Sequence, residues 1–92
     1  MAEKDSSWIR EMASAFGMTV TELAKFMGYH RQSLYNAAWG ETTLKKERLV
    51  EVQRKLDEMN AAMLKADKAM ARERYQKRGK LIGRLVDRLS KS

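Results

Sequence analysis

The stretch Thr19 to Gly40, TVTELAKFMGYHRQSLYNAAWG, leaves its backbone few choices. Thr19 and Glu22, three residues apart, form a Ser/Thr-x-x-Glu capping box, which starts a helix. Leu23, Ala24, Phe26 and Met27 give that helix one apolar face. Gly28 stops it, because glycine takes the left-handed conformation that a helix end needs. After Tyr29 and His30, the polar residues Arg31, Gln32 and Ser33 open a second helix, in which Leu34, Ala37 and Ala38 recur at helical spacing. Gly40 closes it. The spacing predicts helices over 20–27 and 31–39, with the small Ala24 where the two must approach closely.

The rest of the chain is also written for helix. It has 92 residues, no proline and an abundance of Ala, Leu, Met, Lys, Glu and Arg, so the expected fold class is all-α. Without cysteine, neither a disulfide nor a cysteine-ligated metal can brace it. Met1 to Asp5 is a polar tail. Ser6 or Ser7 can cap a first helix running through Phe16, with Trp8, Ile9, Met12, Ala13 and Phe16 along one stripe and Gly17 closing it. Thr43 is a candidate cap for the next element. From there Leu49, Val52, Leu56, Met59, Met63, Ala66 and Met70 follow at spacings of 3 and 4 in alternation, a heptad seam. The pattern stops where Glu73 and Lys77 take the seam positions. Arg72 to Lys80, RERYQKRGK, reads as a basic segment ended at Gly79, and a last amphipathic helix carries Leu81, Ile82, Leu85, Val86 and Leu89. Gly83 inside that helix marks either a weak point or a close helix contact. The expected organisation is a compact domain over 6–43 and a helical extension over 44–92.

Charge divides the same way. The chain carries +7 overall. Residues 1–43 hold four cations and five anions, net −1, and residues 44–92 hold 15 and 7, net +8. A basic balance points to a polyanion, usually nucleic acid. Arg72, Arg74, Lys77, Arg78 and Lys80 are the candidate phosphate contacts, with Tyr75 able to stack on a base or sugar; a solvated helical face is the other reading.

Two short helices meeting steeply across a glycine turn make a helix-turn-helix arrangement. Over about residues 9–56, IREMASAFGM, TVTELAKFMGY and HRQSLYNAAWGETT followed by an apolar-patterned helix resemble the phage Cro and repressor type of helix-turn-helix domain. The resemblance implies that the helix opening at Arg31 lies in the DNA major groove, with Arg31, Gln32, Ser33 and Asn36 as base readers and Thr19, His30 and Tyr35 near the backbone. The side-chain chemistry fits: arginine bonds guanine O6 and N7 together, and Gln or Asn bonds adenine N6 and N7 together. Two positions depart from the family pattern. Val20 stands where a glutamine is common, and Glu41 follows the closing glycine where a basic residue is common.

The function expected from sequence is therefore a small DNA-binding transcriptional regulator, a repressor or activator of bacterial or phage type. It would act as a homodimer on double-stranded DNA, through a seam of Val52, Leu56, Met59, Met63, Ala66 and Met70. A hairpin within one chain is the rival use of that seam. A protein-binding adaptor is the alternative function, and a nonspecific nucleic-acid binder is another. No catalytic constellation, nucleotide-binding glycine loop or metal-ligand cluster is visible, so no enzyme activity, metal or cofactor is expected. No apolar run approaches the roughly 18 residues of a membrane span, and no signal peptide is visible, so the expected location is the cytoplasm.

Overall fold

The computed structural model describes residues 7–40 and 43–90. The capping role of Ser6 and the charge at Glu41 lie outside the described residues. Five helices follow in order: α1 (Ser7–Ala15), α2 (Val20–Met27), α3 (Arg31–Ala38), α4 (Lys46–Ala66) and α5 (Ala71–Ser90). No strand occurs among the described residues.

Local chemistry sets the short helices. The Thr19 hydroxyl accepts the Glu22 amide at 3.1 Å, and the Glu22 carboxylate accepts the Thr19 amide at 3.0 Å, completing the capping box. The bond from the Thr19 backbone, and then from its side chain, holds the Glu22 carboxyl below its usual pKa. Gly28 ends α2 at φ 83°, and the Tyr29 amide returns to the Ala24 carbonyl at 2.7 Å. A side chain at that φ would be strained, and a Cβ there would also run into the Arg48 guanidinium. Each short helix buries one face: Trp8, Ile9, Met12 and Ala13 from α1, Leu23, Ala24 and Met27 from α2, and Leu34, Ala37 and Ala38 from α3. Phe16 joins them, while Phe26 is half-buried at the edge.

α5 is the element on which the others converge. It packs against α4, α1 and α3. Its buried residues Leu81, Ile82, Leu85 and Leu89 join the same apolar cluster as α1–α3. Each such side chain contributes about 1.5–3 kcal/mol when fully buried. The structure departs from expectation at Gly79 and Thr43, and excludes one of the two readings of Gly83. Gly79 does not end a segment, because one helix runs from Ala71 through Ser90. Gly83 does not mark a close contact either, since a Cβ there would meet open space. Gly in a helix costs roughly 1 kcal/mol relative to Ala, less than the burial of two leucines. Thr43 does not cap α4, whose N-cap position is Lys45 with no side-chain bond.

The first part of the heptad seam is covered within the chain. Val52 and Leu56 are buried in the cluster, and Leu49, Met59 and Met63 pack against it. Ala66 and Met70 are exposed, beyond the reach of the packing. Met70 takes φ 53° in the link that turns α4 back into α5. Val52 and Leu56 thus serve an antiparallel helical hairpin within the chain, the rival use of the seam, with Met59 and Met63 half-buried beside them.

The hairpin also buries charge. Arg78 is 1 % exposed, and Asn60 is buried beside it. The Arg78 Nε donates to Asn60 Oδ1, and its Nη2 lies 3.4 Å from Asp67 Oδ2. Asn60 Nδ2 donates in turn to the Tyr75 carbonyl at 3.1 Å. A buried guanidinium must have such partners, because an unpaired one would be far too costly.

Candidate nucleic-acid interface

α3 presents the face opposite Leu34, Ala37 and Ala38. Arg31 and Gln32 are exposed, and Ser33, Tyr35 and Asn36 are half-buried. Gln32 Nε2 donates to Asn36 Oδ1 at 3.1 Å, one helical turn apart. This bond uses one of two N–H groups on Gln32. It leaves the Gln32 carbonyl, its second N–H and the Asn36 amide free to meet a partner. The Arg31 guanidinium lies 5.7 Å from the centre of the Tyr35 ring. Tyr35 in turn lies 6.3 Å from Trp39, with ring planes tilted by 32°.

Tyr35 sits among cations from two helices. Partial burial pushes its phenol up. The positive charges of Arg10 of α1 and Arg31 of α3 more than offset this and hold the pKa below the usual tyrosine value. Tyr29, in the turn, shows the opposite balance. Burial raises its pKa, and the nearby Arg48 only partly counters it.

Thr19 and His30 are exposed at the N-cap positions of α2 and α3. Thr19 caps; His30 has extended backbone but makes no side-chain cap bond. Arg48, on the first turns of α4, was not legible from sequence. Its Nη2 donates to the Met27 carbonyl at 3.2 Å and its guanidinium lies 5.8 Å from the Tyr29 ring. That bond satisfies a C-terminal carbonyl of α2 and fixes a cation beside the α2–α3 turn. No local signal announces it, since the partners are 21 residues apart.

The basic segment is more engaged than its composition suggests. Arg78 is withdrawn into the hairpin, which corrects its assignment as a phosphate contact. Lys77 Nζ lies 3.1 Å from Glu11 Oε1 on α1, and Arg74 lies 3.9 Å from Asp67. Arg84 rests over the Trp8 ring at 4.7 Å. Arg72 and Lys80 are exposed, and Tyr75 is partly so.

Compared with protein-family models, curated proteins and solved structures, the chain matches none. Among the described residues, no group of three His, Cys, Asp or Glu side chains could hold a metal ion. No described helix is long and apolar enough to cross a membrane.

Proposed function

We propose that this chain is a sequence-specific double-stranded DNA-binding regulator of transcription, with α2, the Gly28 turn and α3 acting as a helix-turn-helix unit. The observation that carries the reading is the Gln32–Asn36 amide pair on the exposed face of α3. The opposite face is fully anchored by Leu34, Ala37 and Ala38. In the major groove, the Gln32 carbonyl accepts the adenine N6–H while its free N–H donates to N7. Asn36 fixes the amide beforehand, so less side-chain freedom is lost on binding. α2 crosses the backbone, with the Thr19 end and Arg48 toward phosphates. Occupying a promoter in this way blocks or recruits polymerase.

Selection of bound sequences from a random DNA pool tests the reading. A preferred site containing adenine is expected. Gln32→Ala then weakens that site by about 1–3 kcal/mol and leaves random DNA nearly unchanged. A homodimer would place two α3 helices about 34 Å apart on the duplex. With Val52 and Leu56 covered inside each chain, two copies would meet through another surface, and light scattering with and without the site measures whether they do.

A second reading, a protein-binding adaptor, is favoured by one observation. Glu11 and Asp67 occupy Lys77, Arg74 and Arg78, so fewer cations are left for phosphate. Absence of binding to any DNA at low salt would decide for it.

A further inference from the structure

The link between α4 and α5 is made of residues poorly suited to a turn. It runs Asp67-Lys68-Ala69-Met70, without glycine or proline, and every residue but Asp67 favours helix. Yet Met70 holds φ 53°, the left-handed conformation that strains a side chain and that glycine takes freely. The link gains little burial in return: Lys68, Ala69 and Met70 are exposed, Met70 at 63 %.

If the link turned helical, α4 and α5 would join into one helix over 46–90. Their apolar faces would then be in phase. At roughly 100° per residue, Val52, Leu56, Met63, Met70, Leu81 and Leu85 fall within an arc of about 60°. A hairpin imposes no such agreement, because each arm can turn its own face inward. Two straight helices lying antiparallel need it, because each must meet the other along one side. There α4 of one copy would pair with α5 of the other, as the two pair now within the chain. Ala66 and Met70, exposed in the closed chain, continue the seam spacing and would lie at the centre of that pair.

We propose that this chain dimerises by exchanging α5 with a second copy, through straightening of the link at Met70. The surface used is the one that α1, α3 and α4 now offer to α5. Its occupant is α5 of the second copy, with Leu81, Ile82, Leu85 and Leu89 inserted into the apolar cluster. Two closed chains would have to meet through a surface of their own, whereas exchange reuses contacts that each chain already makes. It relieves strain at both links. It also fixes the two α3 helices relative to each other, since each is then seated by the other copy. Exchange requires no DNA, so it stands or falls apart from the proposed function.

The chain has no cysteine, so a pair can be introduced as a reporter. Glu11 of α1 and Lys77 of α5 are both exposed, with their charged ends 3.1 Å apart. With Glu11→Cys and Lys77→Cys in every chain, a bis-maleimide of matching length bridges the two positions. In a closed chain the bridge stays within the chain; in the exchanged dimer it joins two. Full chain refolded at high micromolar concentration is expected to contain dimer by light scattering, and the bridged dimer is expected to keep its mass on a denaturing gel. Met70→Gly suits the closed link and disfavours the straight helix. It should raise the dimer dissociation constant by about a hundredfold, roughly tenfold for each link, without lowering the melting temperature of the monomer. Four results would each overturn the exchange: a monomer at every concentration, a dimer whose bridges stay within single chains, a dimer untouched by Met70→Gly, or a monomer that Met70→Gly destabilises.

Discussion

The segment 7–40 and the segment 43–90 solve the same problem by different means. The first is three short helices of 8 or 9 residues with only apolar side chains at its centre. Its ends are fixed by local devices such as the Thr19 box and Gly28. The second is two helices of 20 and 21 residues with few caps and a buried arginine. A long apolar seam with a repeat can slide by a turn at little cost. The Arg78–Asn60–Asp67 contacts form in only one alignment, so they can select the register of the hairpin, as buried polar groups do in coiled coils. The three-helix segment needs no such selector, because each helix is too short to slip without exposing its whole face.

The largest effect expected is at the apolar centre. Leu34→Ala should cost about 2–5 kcal/mol in chemical denaturation, since the site is fully enclosed. Next comes Arg78→Met, which keeps the volume but leaves Asn60 Oδ1 without its donor, at about 1–3 kcal/mol. The double change Arg78→Met with Asn60→Leu should recover most of that loss. It should also broaden the amide spectrum or change the oligomeric state if the polar pair selects register. A double variant as weak as the single one, or one with a single sharp native state, would remove the contrast drawn between the segments.

Two changes of about 1 kcal/mol should have opposite signs. Thr19→Ala removes a side-chain cap and destabilises by about 1 kcal/mol. Gly83→Ala puts a methyl group into open space on an exposed helix face and should stabilise by about 0.5–1 kcal/mol. Differences in denaturation midpoint at constant slope would measure both.

The smallest effect concerns two tyrosines near their ordinary pKa of about 10. Tyr35 loses its proton earlier in the folded chain than in the unfolded one. Stability therefore rises with pH just below the ordinary value, and the gain is kept above it. Tyr29 holds its proton longer when folded, so stability falls as pH climbs from the ordinary value toward the folded one. Ultraviolet titration of the folded chain should spread to both sides of the ordinary tyrosine value. Tyr35→Phe should remove the early part; an unchanged early part would mean that Arg10 and Arg31 do not bear on it.

What sequence reveals follows the range of the interactions. Thr19 with Glu22, the stop at Gly28 and the stripe from Trp8 to Phe16 are made by neighbours within four residues, and each stands where spacing puts it. The continuity of α5 was hidden, because two glycines argue locally against it while its leucines are held by α1, α3 and α4. Arg78 looks like any other cation in RERYQKRGK until Asn60, 18 residues earlier, is brought beside it. Arg10 carries no sign in the chain that its charge will bear on Tyr35. In the proposed interface, the amide pair of Gln32 and Asn36 is legible as an i, i+4 spacing, whereas the effect of two arginines on one phenol is a property of the packing alone.

The Leu44 amide donates to the Leu89 carbonyl at 2.9 Å, so the start of the hairpin is tied to its far end. Leu89 and Leu85 are also wholly enclosed, in the cluster that seats α3. The centre of the first forty residues is therefore finished by side chains more than forty positions further along. Closing so long a loop costs chain entropy before any burial rewards it. Mean sequence separation governs folding speed in small proteins, so this chain should fold more slowly than its all-helical content suggests. On a ribosome, α3 would emerge well before the residues that hold it in place. A nascent chain stalled ahead of Leu81 would carry the Gln32–Asn36 pair on a helix with an open back.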